Sequence, residues 1–324
     1  MEHRKIQLTG GSSFTVSLPR EWIEAQKLKK GDSVLLDIKE DGTLSILGDE
    51  SKGEKRKADI LICEEEFLTE RTFITRYLQG YATIRLFAEN TVIPEKRKKI
   101  VETAGYLIGI ELFEESAQEM VFTTLVDFGS TDIHKLMRRI SLLVSFMYGD
   151  AMKSLSFPDS ELHSSISARD RDVDKLHFFI MREVSEAFRD VSVARRLGLE
   201  RIYDGVYFLI AAKNLERIAD YAVSISGNAA TAKKIPQDLT SYAVKAKELF
   251  EESTRRLFDR TPEDCNRLLA KLERLKEKKE DVFSEMTTRE EKREVLAHFN
   301  IIDGIEGTIR HSSNIVEAAL NLSI

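Results

Sequence analysis

The chain has 324 residues, of which 42% are hydrophobic and 32% charged, and its formal net charge is −6. That length predicts about two domains, and a charged share above the usual ~25% points to long solvated helices. The acidic balance excludes a surface that attracts nucleic acid everywhere, so DNA contact would need a local basic patch or one doubled in a dimer.

The first eleven residues, MEHRKIQLTGG, carry charges with no apolar run behind them, and no stretch reaches ~18 consecutive apolar residues. The expected setting is therefore cytoplasmic, without a membrane span. Cys63 and Cys265 are too few and too far apart for a disulfide framework or a paired-cysteine zinc site.

Residues 1–50 predict a small β unit. Short alternating runs occur at 5–9, 13–18, 33–38 and 43–46, broken by Gly10-Gly11, Lys30-Gly31-Asp32 and Asp41-Gly42. Asp-Gly between alternating runs signals a hairpin, because both positions must tolerate positive φ. Pro19 opens a short helix through Trp22. So few strand residues bury little by themselves, and the physical expectation is an intertwined dimer. Residues 48–57 read as a charged linker.

Residues 58–128 alternate strand and helix patterns and predict an α+β sandwich with helices on one face of a sheet. Its helical Arg71, Arg76 and Tyr77 and the turn at Gly80 identify no ligand. A spacer or a small-molecule sensor is the expected role. From Asp132 onward apolar residues recur every three or four positions, as in Leu136, Ile140, Leu143, Val144 and Met147. Breaks near 157, 198, 227, 236, 262 and 288 predict six long helices in two successive groups of three, 131–230 and 235–324.

Two acidic i,i+4 doublets carry the sharpest local signal: Asp170 with Asp174, and Glu216 with Asp220. That spacing is about one helical turn, so each doublet projects from one face. Consecutive antiparallel helices can bring the doublets together, and four converging carboxylates repel one another unless a cation joins them. Hard oxygen ligands suit Mg, Ca, Mn or iron. The alternative is neutralisation by Arg169, Arg171 and Arg217 through ordinary salt bridges.

The segments Asp170-Arg171-Asp172-Val173-Asp174 and Asn214-Leu215-Glu216-Arg217-Ile218-Ala219-Asp220-Tyr221 resemble the paired acidic motifs of the PhoU family. That resemblance implies two three-helix bundles, each able to hold a metal cluster. It implies that Asp170, Asp174, Glu216 and Asp220 ligate a divalent or trivalent ion (Mg, Mn, Ca, Zn or Fe) in the first bundle. In the second bundle the corresponding acids are Glu277, Asp281 and Glu306, but Arg310 stands where the first bundle has Asp220. The expectation is that Arg310 pairs with those acids and replaces metal there. His311 is either a ligand or a hydrogen-bonded core residue.

The order of motifs from Arg4 through Trp22, followed by Leu28-Lys29-Lys30-Gly31-Asp32, resembles the AbrB/SpoVT swapped-hairpin domain, whose members are intertwined dimers that mostly act in transcription. In such a dimer Arg4, Lys5 and Arg20 would be doubled onto one DNA-facing surface. Together the resemblances imply a mainly α, multi-domain homodimer: a DNA-binding, metal-binding regulator of phosphate uptake with phosphate ABC transporter components or signalling proteins as partners. The competing readings are a transporter-regulatory adaptor whose head only dimerises, and a metal-dependent phosphoesterase. No catalytic motif stands out.

Overall fold

The computed structural model describes residues 3–38, 42–48, 57–62, 66–126, 131–284 and 292–323. The chain divides into two compact units, 1–55 and 56–324.

In the first unit, Gly10 and Gly11 take φ of 65° and 85°, which an L side chain rarely adopts, and so close a hairpin between β1 (Gln7–Thr9) and β2 (Ser13–Thr15). The helix α1 (Arg20–Ala25) follows Pro19, whose fixed φ suits a helix start. A second antiparallel pair joins β3 (Leu35–Ile38) to β4 (Leu44–Leu47). Asp41 of the expected turn lies outside the described residues, while Gly42 has φ 79°. Strand patterning therefore gives the elements, but not a core. Leu28 is the single buried apolar residue among those described here, while Ile6, Leu8, Phe14, Leu36 and Ile38 are exposed.

The second unit begins with the α+β sandwich. A four-stranded sheet has the order β5 (Lys57–Leu61), β6 (Thr83–Phe87), β8 (Glu119–Thr124), β7 (Ile110–Glu115). The β5–β6 pair is parallel, joined by α2 (Glu66–Leu78), and the other pairs are antiparallel. The expected linker thus ends earlier than its charge pattern suggests, because Lys57 already pairs with Thr83. Ile84, Leu86, Met120 and Phe122 alternate inward and pack with Phe73 and Tyr77 of α2 and Ile100 of α3 (Pro94–Ala104).

The helical body comprises α4 (Ile133–Ser156), α5 (Ser160–Ala187), the short α6 (Val191–Leu197), α7 (Asp204–Ala229), α8 (Gln237–Arg256), α9 (Pro262–Lys276), α10 (Lys279–Ser284) and α11 (Lys292–Asn321). Asp132 and Asp159 cap α4 and α5 by accepting from Lys135 and Glu161 N–H groups. Gly198 ends α6 in the left-handed region at φ 82°. The break expected near Gly227 falls two residues later, after Ala229, and at Gly227 the missing Cβ lets His163 approach, where a Cβ would lie 3.1 Å from its ring. One continuous core, from Ile133 to Leu322, runs through both helical groups. The sandwich joins the body at α5, where Phe178 packs against the sandwich core and Arg182 donates to Tyr77 and Tyr81 carbonyls.

Candidate metal centre and basic head

The two doublets are set by helix phase. On α5, Val173, Leu176 and Ile180 face the core, which turns Asp170 and Asp174 to the flank of that face. On α7, Leu215, Ile218, Ala219 and Ala222 are buried, which carries Glu216 inward and leaves Asp220 half-buried. The doublets meet electrostatically. Burial, then the charges of Asp174, Asp220 and Glu216, push the Asp170 carboxyl up to about 7. Burial, Glu216 and Asp220 raise Asp174 to about 6, against a lowering pull from Lys213. Burial and Glu216 raise Asp220, opposed by Arg217 and Lys213.

The cations are arranged on one side only. Lys213 Nζ lies 2.7 Å from Glu216 Oε2, and Arg217 Nη1 lies 3.1 Å from Asp220 Oδ2. Arg169 is turned away to Asp150, at 2.6 Å, and Arg171 is exposed. Asp170 Oδ1 is buried with no hydrogen-bond partner. Four carboxylates, with Asp170 Oδ1 buried and unpartnered and Glu216 Oε2 buried beside Lys213, suit a cation of the Mg or Ca type. Among the described residues no three acidic, histidine or cysteine side chains stand grouped as a ready-made metal site.

Two residues at this site escaped the motif reading. Lys213 precedes Glu216 by three positions, a helix-neighbour spacing that is legible once α7 is drawn as a wheel. His177 follows Asp174 by three. Burial first, then Lys213 and Arg217, hold it near 4, so it stays neutral. His311 is a hydrogen-bonded residue: its Nδ1 lies 2.6 Å from Asn214 Oδ1, which also accepts from Asn314 Nδ2 at 2.9 Å. Asn214 Oδ1 can only accept, so His311 Nδ1 carries the proton. Burial, then Arg310, Arg217 and Lys213, lower His311 to about 4.

In the second bundle the expected pairing is corrected. Lys279, not Arg310, pairs with Glu306. The reason is the break after Lys276, which starts α10 at Lys279 and turns that side chain to α11. Arg310 instead donates from Nη2 to Tyr221 Oη on α7, at 3.2 Å. Glu277 is exposed at the end of α9, and the side chain of Asp281 lies outside the described residues.

In the N-terminal unit, Arg4 and Lys5 are exposed just before β1. Arg20 opens α1, and its Nε lies 2.8 Å from Glu24 Oε1 in a fully solvated pair, which releases its guanidinium at little cost.

Residues 137–229 match the family described as PhoU domain, and residues 7–55 match that described as antidote-toxin recognition MazE, bacterial antitoxin. No catalytic family is among these matches. The phosphate transport system regulatory protein PhoU from Streptococcus pneumoniae has a similar solved structure, with a TM-score of 0.51 and 16% identity over 59% of this chain and 93% of that one. That likeness establishes the helical fold. No curated protein matches significantly. The chain therefore couples a segment of the PhoU domain type, at 137–229, to an N-terminal segment of the MazE antitoxin type, at 7–55.

Proposed function

We propose that this protein regulates phosphate uptake, with a dimeric N-terminal head that binds DNA and a helical body that holds a metal ion and engages phosphate transporter components. The observation that carries this reading is the joining, in one chain, of an antitoxin-type segment to a PhoU-type helical body.

The head supports the DNA part through charge and incompleteness. Arg4, Lys5 and Arg20 are exposed on a unit whose described apolar residues, Leu28 apart, are exposed or half-buried. A second copy would cover those residues and double the basic groups. Asp170, Asp174, Glu216 and Asp220 would hold the ion. It would supply a fixed positive charge that joins α5 to α7 and stiffens the body against which a partner docks. Binding would draw the four side chains closer than they stand and release protons from Asp170 and Asp174.

The test is retardation of a phosphate-regulated promoter fragment by the purified chain. The proposal predicts a shift that Arg4→Ala with Arg20→Ala abolishes. No shift by the unaltered protein would remove the transcriptional role. A second reading, a transporter adaptor without DNA affinity, draws support from the net charge of −6. It predicts capture of the transporter ATPase with no promoter shift.

A further inference from the structure

An open cavity of about 480 Å³ lies between α4 and the C-terminal end of α8, away from the carboxylate site and within the range that takes small molecules. Its polar lining comes from α4, from the last turns of α8 and from Asp259 just beyond α8. Arg138, Ser141 and Ser145 share one face of α4, and Arg255 and Arg256 occupy the last turn of α8. Arginines in a last helical turn are ordinarily explained by the negative end of the helix. That does not account for Arg138, which comes from the other helix.

Nor does it account for two buried polar atoms. Ser141 is 5% exposed and its Oγ has no hydrogen-bond partner, and Arg256 Nε is likewise buried without one. Arg256 is pinned through Nη1 by Asp259 and Asp264, at 3.1 and 3.2 Å, and so is already oriented. Those acids offset its charge, which leaves Arg138 and Arg255 as the surplus cations of the cleft. The Arg138 guanidinium stacks over the Phe258 ring at 4.9 Å. Leu142, 59% exposed, adds a second apolar surface to the same cavity.

We propose that this cleft binds an organic phosphate of nucleotide size, with its phosphoryl group on Arg138, Arg255 and Ser141 and its ring or other apolar portion against Phe258 and Leu142. Guanidinium forks match phosphoryl oxygens, and the Ser141 hydroxyl supplies a short donor. A bare phosphate ion would leave the apolar wall uncovered, and a neutral nucleoside would leave the guanidiniums without a partner. This inference is independent of the metal and DNA readings.

Calorimetric titration of the full chain with AMP, ATP, adenosine and inorganic phosphate tests it. AMP or ATP should bind saturably, at least about tenfold tighter than adenosine or inorganic phosphate. Arg138→Ala with Arg255→Ala should weaken that binding by about tenfold or more, since both charge-assisted donors to the phosphoryl group are lost. Both arginines are exposed, so the variant should keep its helical circular dichroism. Ser141→Ala should give a smaller loss. The proposal is overturned if neither nucleotide binds, or if adenosine or inorganic phosphate binds as tightly as AMP. It is also overturned if the double variant binds unchanged, or if Arg4→Ala with Arg20→Ala removes the binding and so moves the anion site to the head.

Discussion

Asp170 places one carboxylate oxygen in a buried position without a partner, and its carboxyl is raised from 3.8 to about 7 by burial and three neighbouring acids. A raised folded-state value means the folded protein prefers the protonated form. The associated stability is complete below the unfolded value, and it is lost as pH rises through the folded one. Metal-free protein should therefore lose thermal stability between about pH 4 and pH 7, with Asp174, raised to about 6, adding to the loss. Asp170→Asn should flatten that slope and raise the midpoint at pH 7.5, measured by differential scanning calorimetry. A slope unchanged in the variant would mean that Asp170 is not the strained group. Added Mg or Mn should stabilise the unaltered protein more at pH 7.5 than at pH 5, because a cation binds the ionised carboxylates. Elemental analysis gives the matching readout: Glu216→Gln with Asp220→Asn should abolish bound metal, and an unchanged metal content would contradict the ligand assignment. The acids themselves were legible in the sequence, because four-residue spacing on a helix fixes a shared face. The partners of the second-bundle acids were not. Lys279 reaches Glu306 only because the helix breaks after Lys276, and a charged segment such as 276–281 gives no signal for that break.

Between elements, α5 carries Arg182 into the sandwich, where it is 1% exposed. Its guanidinium donates to the Tyr77 carbonyl at 2.6 Å and the Tyr81 carbonyl at 3.1 Å, and lies 4.5 Å from the Tyr77 ring centre. Gly80, at φ 77°, makes the turn that this contact needs, since a Cβ there would meet the Glu186 carboxylate. Arg182→Met should remove the side-chain donor to the Tyr81 carbonyl and one of two donors to the Tyr77 carbonyl, which also accepts from the Gly80 N–H at 3.0 Å, and cost about 1–3 kcal/mol in urea unfolding. Amides of β6 and α2 should lose hydrogen-exchange protection while those of α7 and α11 keep theirs. Equal loss everywhere would mean that Arg182 is not a joint between parts. The α7–α11 contact depends on small residues. A Cβ on Gly307 would lie 2.3 Å from the Tyr221 ring, so Gly307→Ala should destabilise by about 1–3 kcal/mol through overpacking, read as a lower urea midpoint. Helix and strand order followed from apolar periodicity, but these joints did not. Nothing in the pattern around Arg182 separates a buried arginine from a solvated one, and the continuous core across both helical groups depends on the α7–α11 approach that Gly304 and Gly307 allow.

At the scale of the whole molecule, the head is the part whose described apolar residues stand mostly exposed. Phe14 is 74% exposed and Ile38 78%, in strands of three and four residues. Isolated two-stranded hairpins are marginal in water without an apolar face to cover. That exposure was legible in the sequence, because so short a β segment cannot build a core from its own residues. The DNA-binding proposal rests on it, since one copy of Arg4, Lys5 and Arg20 gives too few phosphate contacts for useful affinity, and two copies give up to about six. The most direct measurement is the solution mass by light scattering at micromolar concentration, for the full chain and for Phe14→Asp. Twice the 37.0 kDa chain mass is expected for the unaltered protein and a single chain mass for the variant, with helical content retained in both. A monomeric unaltered chain, or a dimer that survives Phe14→Asp, would contradict the dimeric head.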